Sequence, residues 1–282
     1  MNIIEAIILG IIQGLTEFLP ISSTGHLTVA GKLMGLISEE HPEQWTSFIA
    51  VIQLGTLVAI LIYFWNDLWR ITIDFINDNL LKRKSFNNQS ENSKMGWYII
   101  LGSIPVVFIG LVFKDLIEGS LTKNLYVIGA SLILLGIILA FAEKFGKFKK
   151  ELKEIKWYDA LIIGFAQSLA LIPGSSRSGT TITAGIFLGF KRETAARFSF
   201  LLSVPAILGS GLLQLYKALA FIDTSGILTL IIATITSAVS GYLTIEFLLK
   251  FLRKNSTFVF IVYRIVIGVV IIILILNNVI QP

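Results

Sequence analysis

Apolar residues in this chain run in long unbroken stretches, and the stretches come in two lengths. Residues 46–66, 95–113, 125–143, 198–216, 226–249 and 257–276 are long runs, close to the roughly 20 residues that a membrane-spanning helix needs. They do not alternate in polarity, so they read as helices rather than barrel strands. The short runs come in pairs. Residues 3–19 and 24–36 flank Pro20, and residues 158–172 and 178–190 flank Pro173. Two half-length segments hinged on a proline predict a re-entrant helical hairpin, which enters and leaves the bilayer on one side. A single kinked spanning helix is the plainer reading of each pair.

The order short, short, long, long, long thus occurs twice. Residues 1–145 form a first repeat, with its hairpin at 3–36, and residues 157–282 a second, with its hairpin at 158–190. A basic stretch at 146–156 links them. A hairpin returns to its starting side and three crossings change side, so the second repeat must start opposite to the first. The expected fold is an all-α integral membrane protein with six spanning helices plus two re-entrant hairpins in an inverted-topology repeat.

Composition agrees. Of 282 residues, 55% are hydrophobic and 15% charged, against about 25% charged in an average soluble protein. The net charge of +5 therefore reads as loop charge rather than a nucleic-acid surface. Seventeen Lys and Arg fall in segments 70–94, 144–156, 191–197 and 250–254, on one side of the expected topology. Lys32, Lys114, Lys123 and Lys217 fall on the other. The positive-inside rule makes the first side cytoplasmic and places both termini outside. Hairpin one then opens outward and hairpin two to the cytoplasm. The start, Met1 to Glu5, lacks a basic n-region and a small-residue cleavage site, and reads as mature protein. The absence of Cys excludes disulfide and thiol chemistry.

Candidate chemistry lies at the hinges. An ionised group near the bilayer centre costs about 2.5–3.5 kcal/mol on insertion scales, so it has a partner or a task. Glu17, His26 and Arg177 are such groups. Gln13 and Glu17 share one helix face with Ala6 and Gly10. Glu17 suits a divalent cation or general-base work, or simply a salt bridge to Arg177. Ser22 and Ser23 precede one half-helix, and Ser175 and Ser176 the other. They suit N-caps, and a helix N-terminus is an anion site. Ser23 is a candidate nucleophile, or a donor while water attacks. His26, in the first turn, suits acid–base work. Arg177 takes the place of Thr24 when the hinges are aligned on proline, and its guanidinium matches phosphate oxygens. Arg264 either supports the site or snorkels to an interface. His41, in an acidic stretch, reads as a loop residue.

The segments Gln13-Gly-Leu-Thr-Glu17-Phe-Leu-Pro20-Ile-Ser-Ser23-Thr-Gly-His26 and Pro173-Gly-Ser-Ser-Arg177-Ser-Gly-Thr-Thr181 resemble the bacterial undecaprenyl-pyrophosphate phosphatase family, also known as bacitracin-resistance proteins. The resemblance covers essentially the whole chain. It implies a membrane hydrolase that converts undecaprenyl diphosphate to undecaprenyl phosphate and inorganic phosphate, recycling the lipid carrier for cell-wall synthesis and conferring bacitracin resistance. It implies Mg2+ or Ca2+ held by Glu17, with Gln13 standing where the family carries Glu or Gln. It also implies catalytic roles for Glu17, Ser23, His26 and Arg177. The diphosphate would rest on Ser22, Thr24, Gly25, Ser175, Ser176, Ser178, Gly179 and Thr181, in a site open to the extracytoplasmic side of the plasma membrane. The rival reading is an inverted-repeat secondary transporter or lipid-carrier flippase, because discontinuous helices meeting at mid-membrane also mark transporters.

Overall fold

The computed structural model describes residues 1–38, 40–119, 123–219 and 224–281. They form α1 (Ile3–Phe18), α2 (Ser23–Leu33), α3 (Pro42–Tyr63), α4 (Trp65–Ile76), α5 (Glu91–Val112), α6 (Lys114–Glu118), α7 (Leu125–Phe145), α8 (Trp157–Ser168), α9 (Arg177–Phe187), α10 (Arg192–Ala218), α11 (Thr224–Lys254) and α12 (Phe258–Leu276). Six of these, α3, α5, α7, α10, α11 and α12, are long and apolar enough to cross a membrane. Large apolar side chains such as Phe108, Leu111, Leu134 and Phe247 point outward, which only a lipid surround makes favourable. The chain is an all-α, multi-pass integral membrane protein.

The spans differ from the hydropathy windows at their ends. The first starts at Pro42, which suits the first helical turn, where its missing N–H is not needed. It stops at Phe64, so Trp65 and Trp69 stack on the separate, amphipathic α4. The second begins at Glu91, capped by the Ser90 hydroxyl. Residues 77–90 are more ordered than a plain polar loop: the Asp78 carboxylate accepts from the Ser90 amide at 2.7 Å and pairs with Lys84 at 2.8 Å. Helices α10 and α11 carry charged turns beyond their apolar windows, tied by Arg192–Glu143 and Arg253–Glu193 ion pairs. The 146–156 linker is docked, with the Lys149 and Lys150 amides both donating to the Gly189 carbonyl.

The short helices pack as two antiparallel pairs, α1 with α2 and α8 with α9. The pairs keep one constant offset of 154 residues. Gly10 and Gly164, Gln13 and Gln167, the caps Ser22 and Ser176, and the left-handed C-terminal glycines Gly35 and Gly189 all correspond. Alignment on the prolines is therefore one residue out. Pro20 precedes its cap by two positions and Pro173 by three, with Gly174 at φ 84° between. By the caps, Arg177 is the counterpart of Ser23, not of Thr24. Packing between halves is reciprocal: α1 lies on α11, and α8 on α5. Both contacts are glycine-tight. A Cβ on Gly14 would stand 2.0 Å from the Ser240 hydroxyl, and one on Gly164 2.2 Å from the Gly102 carbonyl.

Candidate active site

Both caps, Ser22 (φ 77°) and Ser176 (φ 67°), adopt a backbone that favours glycine, a strain of about 1–3 kcal/mol each. Each hydroxyl accepts the amide three residues on, Gly25 at 3.2 Å and Gly179 at 3.1 Å. Those two amides are thus spent on capping. The strain is held by ties between the elbows. The Ser178 hydroxyl donates to the Leu19 carbonyl at 2.9 Å. Arg264, 1% exposed, donates to Pro20 O at 3.1 Å, Ser175 O at 2.9 Å and Leu132 O at 3.3 Å. Arg264 is buried on α12 and does not snorkel. Gly179 makes room for it, since a Cβ there would lie 2.5 Å from its Nη1.

At this junction Glu17, 5% exposed, is the hub. Its Oε2 accepts from the Ser23 hydroxyl at 2.6 Å and from Gln13 Nε2 at 3.0 Å. Its Oε1 pairs with Arg177 Nη2 at 2.7 Å, so the two elbows share one ion pair. Arg177 Nη1 is buried with no partner among the described residues. Gln13 Oε1 is likewise unpartnered.

A cavity of about 440 Å³ opens beside the pair. Glu17, Ser23, Thr24, Ser175, Ser176 and Arg177 line its polar end, and α5 and α10 supply apolar walls. An apolar groove between α5 and α8, lined by Phe113, Phe165 and Leu169, shares Ile117, Leu171 and Ile172 with the cavity. A charged headgroup and a long hydrocarbon chain can thus be held by neighbouring surfaces.

His26 does not line this cavity. Its Nδ1 lies 2.7 Å from the Ser22 carbonyl and must donate there, so its Nε2 accepts from the Tyr263 hydroxyl, also at 2.7 Å. It is stacked on that ring. Thr181 likewise serves the elbow, bonding the Arg177 carbonyl at 2.7 Å and Ser199 at 2.6 Å. His41 is exposed beside Glu43. Sequence reasoning left Arg264 between support of the site and snorkelling, and gave no role to Gln167, whose equivalence to Gln13 was the available signal.

Among the described residues no three His, Cys, Asp or Glu come together, and Glu17 is the single carboxylate lining the cavity. Magnesium is usually held by one or two carboxylates plus substrate phosphates. The Glu17 carboxylate and the unpartnered Gln13 Oε1 are hard oxygen donors of the right kind, so the residues fit a divalent cation.

A family model described as bacitracin resistance protein BacA matches residues 6–270. The undecaprenyl-diphosphatase of Syntrophobacter fumaroxidans is 61% identical over 268 residues, covering 95% of each chain. Those of Chloroherpeton thalassium and Chlorobium phaeovibrioides are 51% and 48% identical, covering 95% and 100% of each chain.

Proposed function

The chain belongs to the bacitracin resistance protein BacA family, and from that premise we propose that it hydrolyses undecaprenyl diphosphate to undecaprenyl phosphate and inorganic phosphate, so recycling the lipid carrier for cell-wall synthesis. The observation that carries this reading is the Ser23 hydroxyl, 2.6 Å from a Glu17 carboxylate that is itself locked to Arg177. A nucleophile, a base and an orienting group in this relation form a hydrolase triad in geometry. The apolar groove continuing from the cavity suits a polyprenyl tail.

The diphosphate enters the cavity with its terminal phosphorus before Ser23. Arg177 keeps Nη2 on Glu17 and gives Nη1 to the phosphoryl oxygens, together with the amides of the two helix N-termini. Ser23 Oγ attacks phosphorus as its proton passes to Glu17. The bond between phosphorus and the bridging oxygen breaks, and the lipid monophosphate leaves with the electron pair. Glu17 hands the Ser23 proton to the departing monophosphate; water then attacks the phosphoserine, its proton passing to Glu17 and on to the Ser23 oxygen as phosphate is released. A divalent cation on Glu17 and Gln13 would offset charge on the phosphate oxygens.

The topology belongs to the same reading. The helix pairs are re-entrant, the repeats are inverted, and both termini and the catalytic opening face away from the cytoplasm. The 17-to-4 division of basic residues supports this.

Phosphate release by purified protein in detergent, where no gradient exists, tests the enzyme against the transporter. We expect release from C55 and C15 diphosphates, stimulated by Mg2+ or Ca2+ and abolished by a chelator. Arg177→Ala should lower turnover at least a hundredfold in folded protein. Ser23→Ala should abolish a trapped phosphoenzyme and turnover together. If Ser23→Ala only slows release, water is the nucleophile; if wild type releases none, the reading fails.

A further inference from the structure

Gln167 occupies the place in the second helix pair that Gln13 occupies in the first. Gln13 serves Glu17, four residues on. Four residues on from Gln167 stands Leu171, so Gln167 has no carboxylate to serve. Its side chain is 0% exposed, yet neither amide atom has a hydrogen-bond partner among the described residues. The Ser175 hydroxyl, also 0% exposed, is unpartnered as well. Both residues stand in the wall of the cavity that holds Glu17, Ser23 and Arg177. Leaving a buried amide unbonded is destabilising, and a leucine at this position would avoid it.

Position says what these donors meet. Residues on either side of Gln167, Ala166 and Ser168 on α8 and Leu169 just beyond its end, line the apolar groove. Gln167 therefore stands on the tail side of the cavity, away from Ser23 and Glu17 on the other elbow. Resting on the phosphatase reading above, we propose that Gln167, with Ser175, binds the lipid-proximal phosphate of the diphosphate. Its Nε2 hydrogens and the Ser175 hydroxyl donate to that phosphate, the group on which charge gathers as the bond to the terminal phosphorus breaks. Arg177 and Ser23 take the terminal phosphate, so the second elbow spans both phosphates and the first meets only the terminal one. This division makes the site selective for a diphosphate over a phosphomonoester.

The test is Gln167→Leu, assayed in detergent beside wild type. Thermal unfolding should be unchanged or shifted upward, because an unbonded amide is removed. In the same protein, kcat/KM for C15 diphosphate should fall about ten- to hundredfold. Inhibition by inorganic diphosphate should weaken about tenfold, while inhibition by inorganic phosphate stays as in wild type. A merely structural glutamine would lower stability and activity together. If Gln167→Leu fails to fold, Ser175→Ala, which removes one oxygen, carries the same inhibition comparison. Wild-type kinetics in both variants, or equal weakening of both inhibitors, overturns the assignment while leaving the phosphatase reading intact. A wild-type protein that releases no phosphate removes both.

Discussion

At the scale of single residues, the Glu17–Arg177 pair combines a structural and a chemical task, and the two are separable. Removing one partner of a buried ion pair leaves the other uncompensated, at a cost of about 3–5 kcal/mol. Glu17→Ala should therefore lower the thermal midpoint sharply and stop turnover. The double variant Glu17→Ala with Arg177→Ala should regain most of the stability and none of the activity. Arg264→Lys should fold, as judged by helical content, yet lose at least a hundredfold in turnover. An ammonium cannot fork across the Pro20 and Ser175 carbonyls as the guanidinium does. Glu17, Ser23 and Arg177 could be picked out in the sequence, because charges and hydroxyls that interrupt long apolar runs beside a proline are expensive without a use. The partners of His26 and Arg264 were not legible. Tyr263 and the elbow carbonyls lie more than 80 positions away along the chain, and nothing local announces them.

At the scale of elements, glycine decides how closely helices meet. Gly14→Val should prevent stable folding, since its Cβ would meet both the Ser240 hydroxyl and the Gly241 amide of α11. Gly110→Ala, with nothing within 4 Å of the added carbon, should yield protein of wild-type stability, by size-exclusion profile and thermal midpoint. The six spanning helices and their centres were legible, because hydropathy reports the bilayer directly; the short helices α4 and α6 were not. Span ends were not. They are set by ion pairs such as Arg192–Glu143 and by caps such as Ser90. The two elbows invited alignment on their prolines, yet the caps hold the true register, and Gly174 supplies the extra residue.

At the scale of the whole molecule, the chain's lack of cysteine makes the proposed topology directly measurable. Single cysteines at Lys147 and Asn88 should resist a membrane-impermeant thiol reagent in intact cells, whereas one at Lys217 should react. The opposite pattern would invert the assignment. The two-fold order of short and long runs was visible beforehand; the cross-wise packing of α1 on α11 and α8 on α5 was not, because hydropathy has no memory of which apolar faces adjoin. The tie made by Arg264 has a temporal consequence. It reaches from the last helix to both elbows, so the pocket cannot take shape until residue 264 has left the ribosome. A chain cut before Phe258 should insert into the bilayer and remain inert, and separate expression of α12 should restore it. Birth of the protein and onset of its chemistry then coincide, with no half-made hydrolase loose among the lipids.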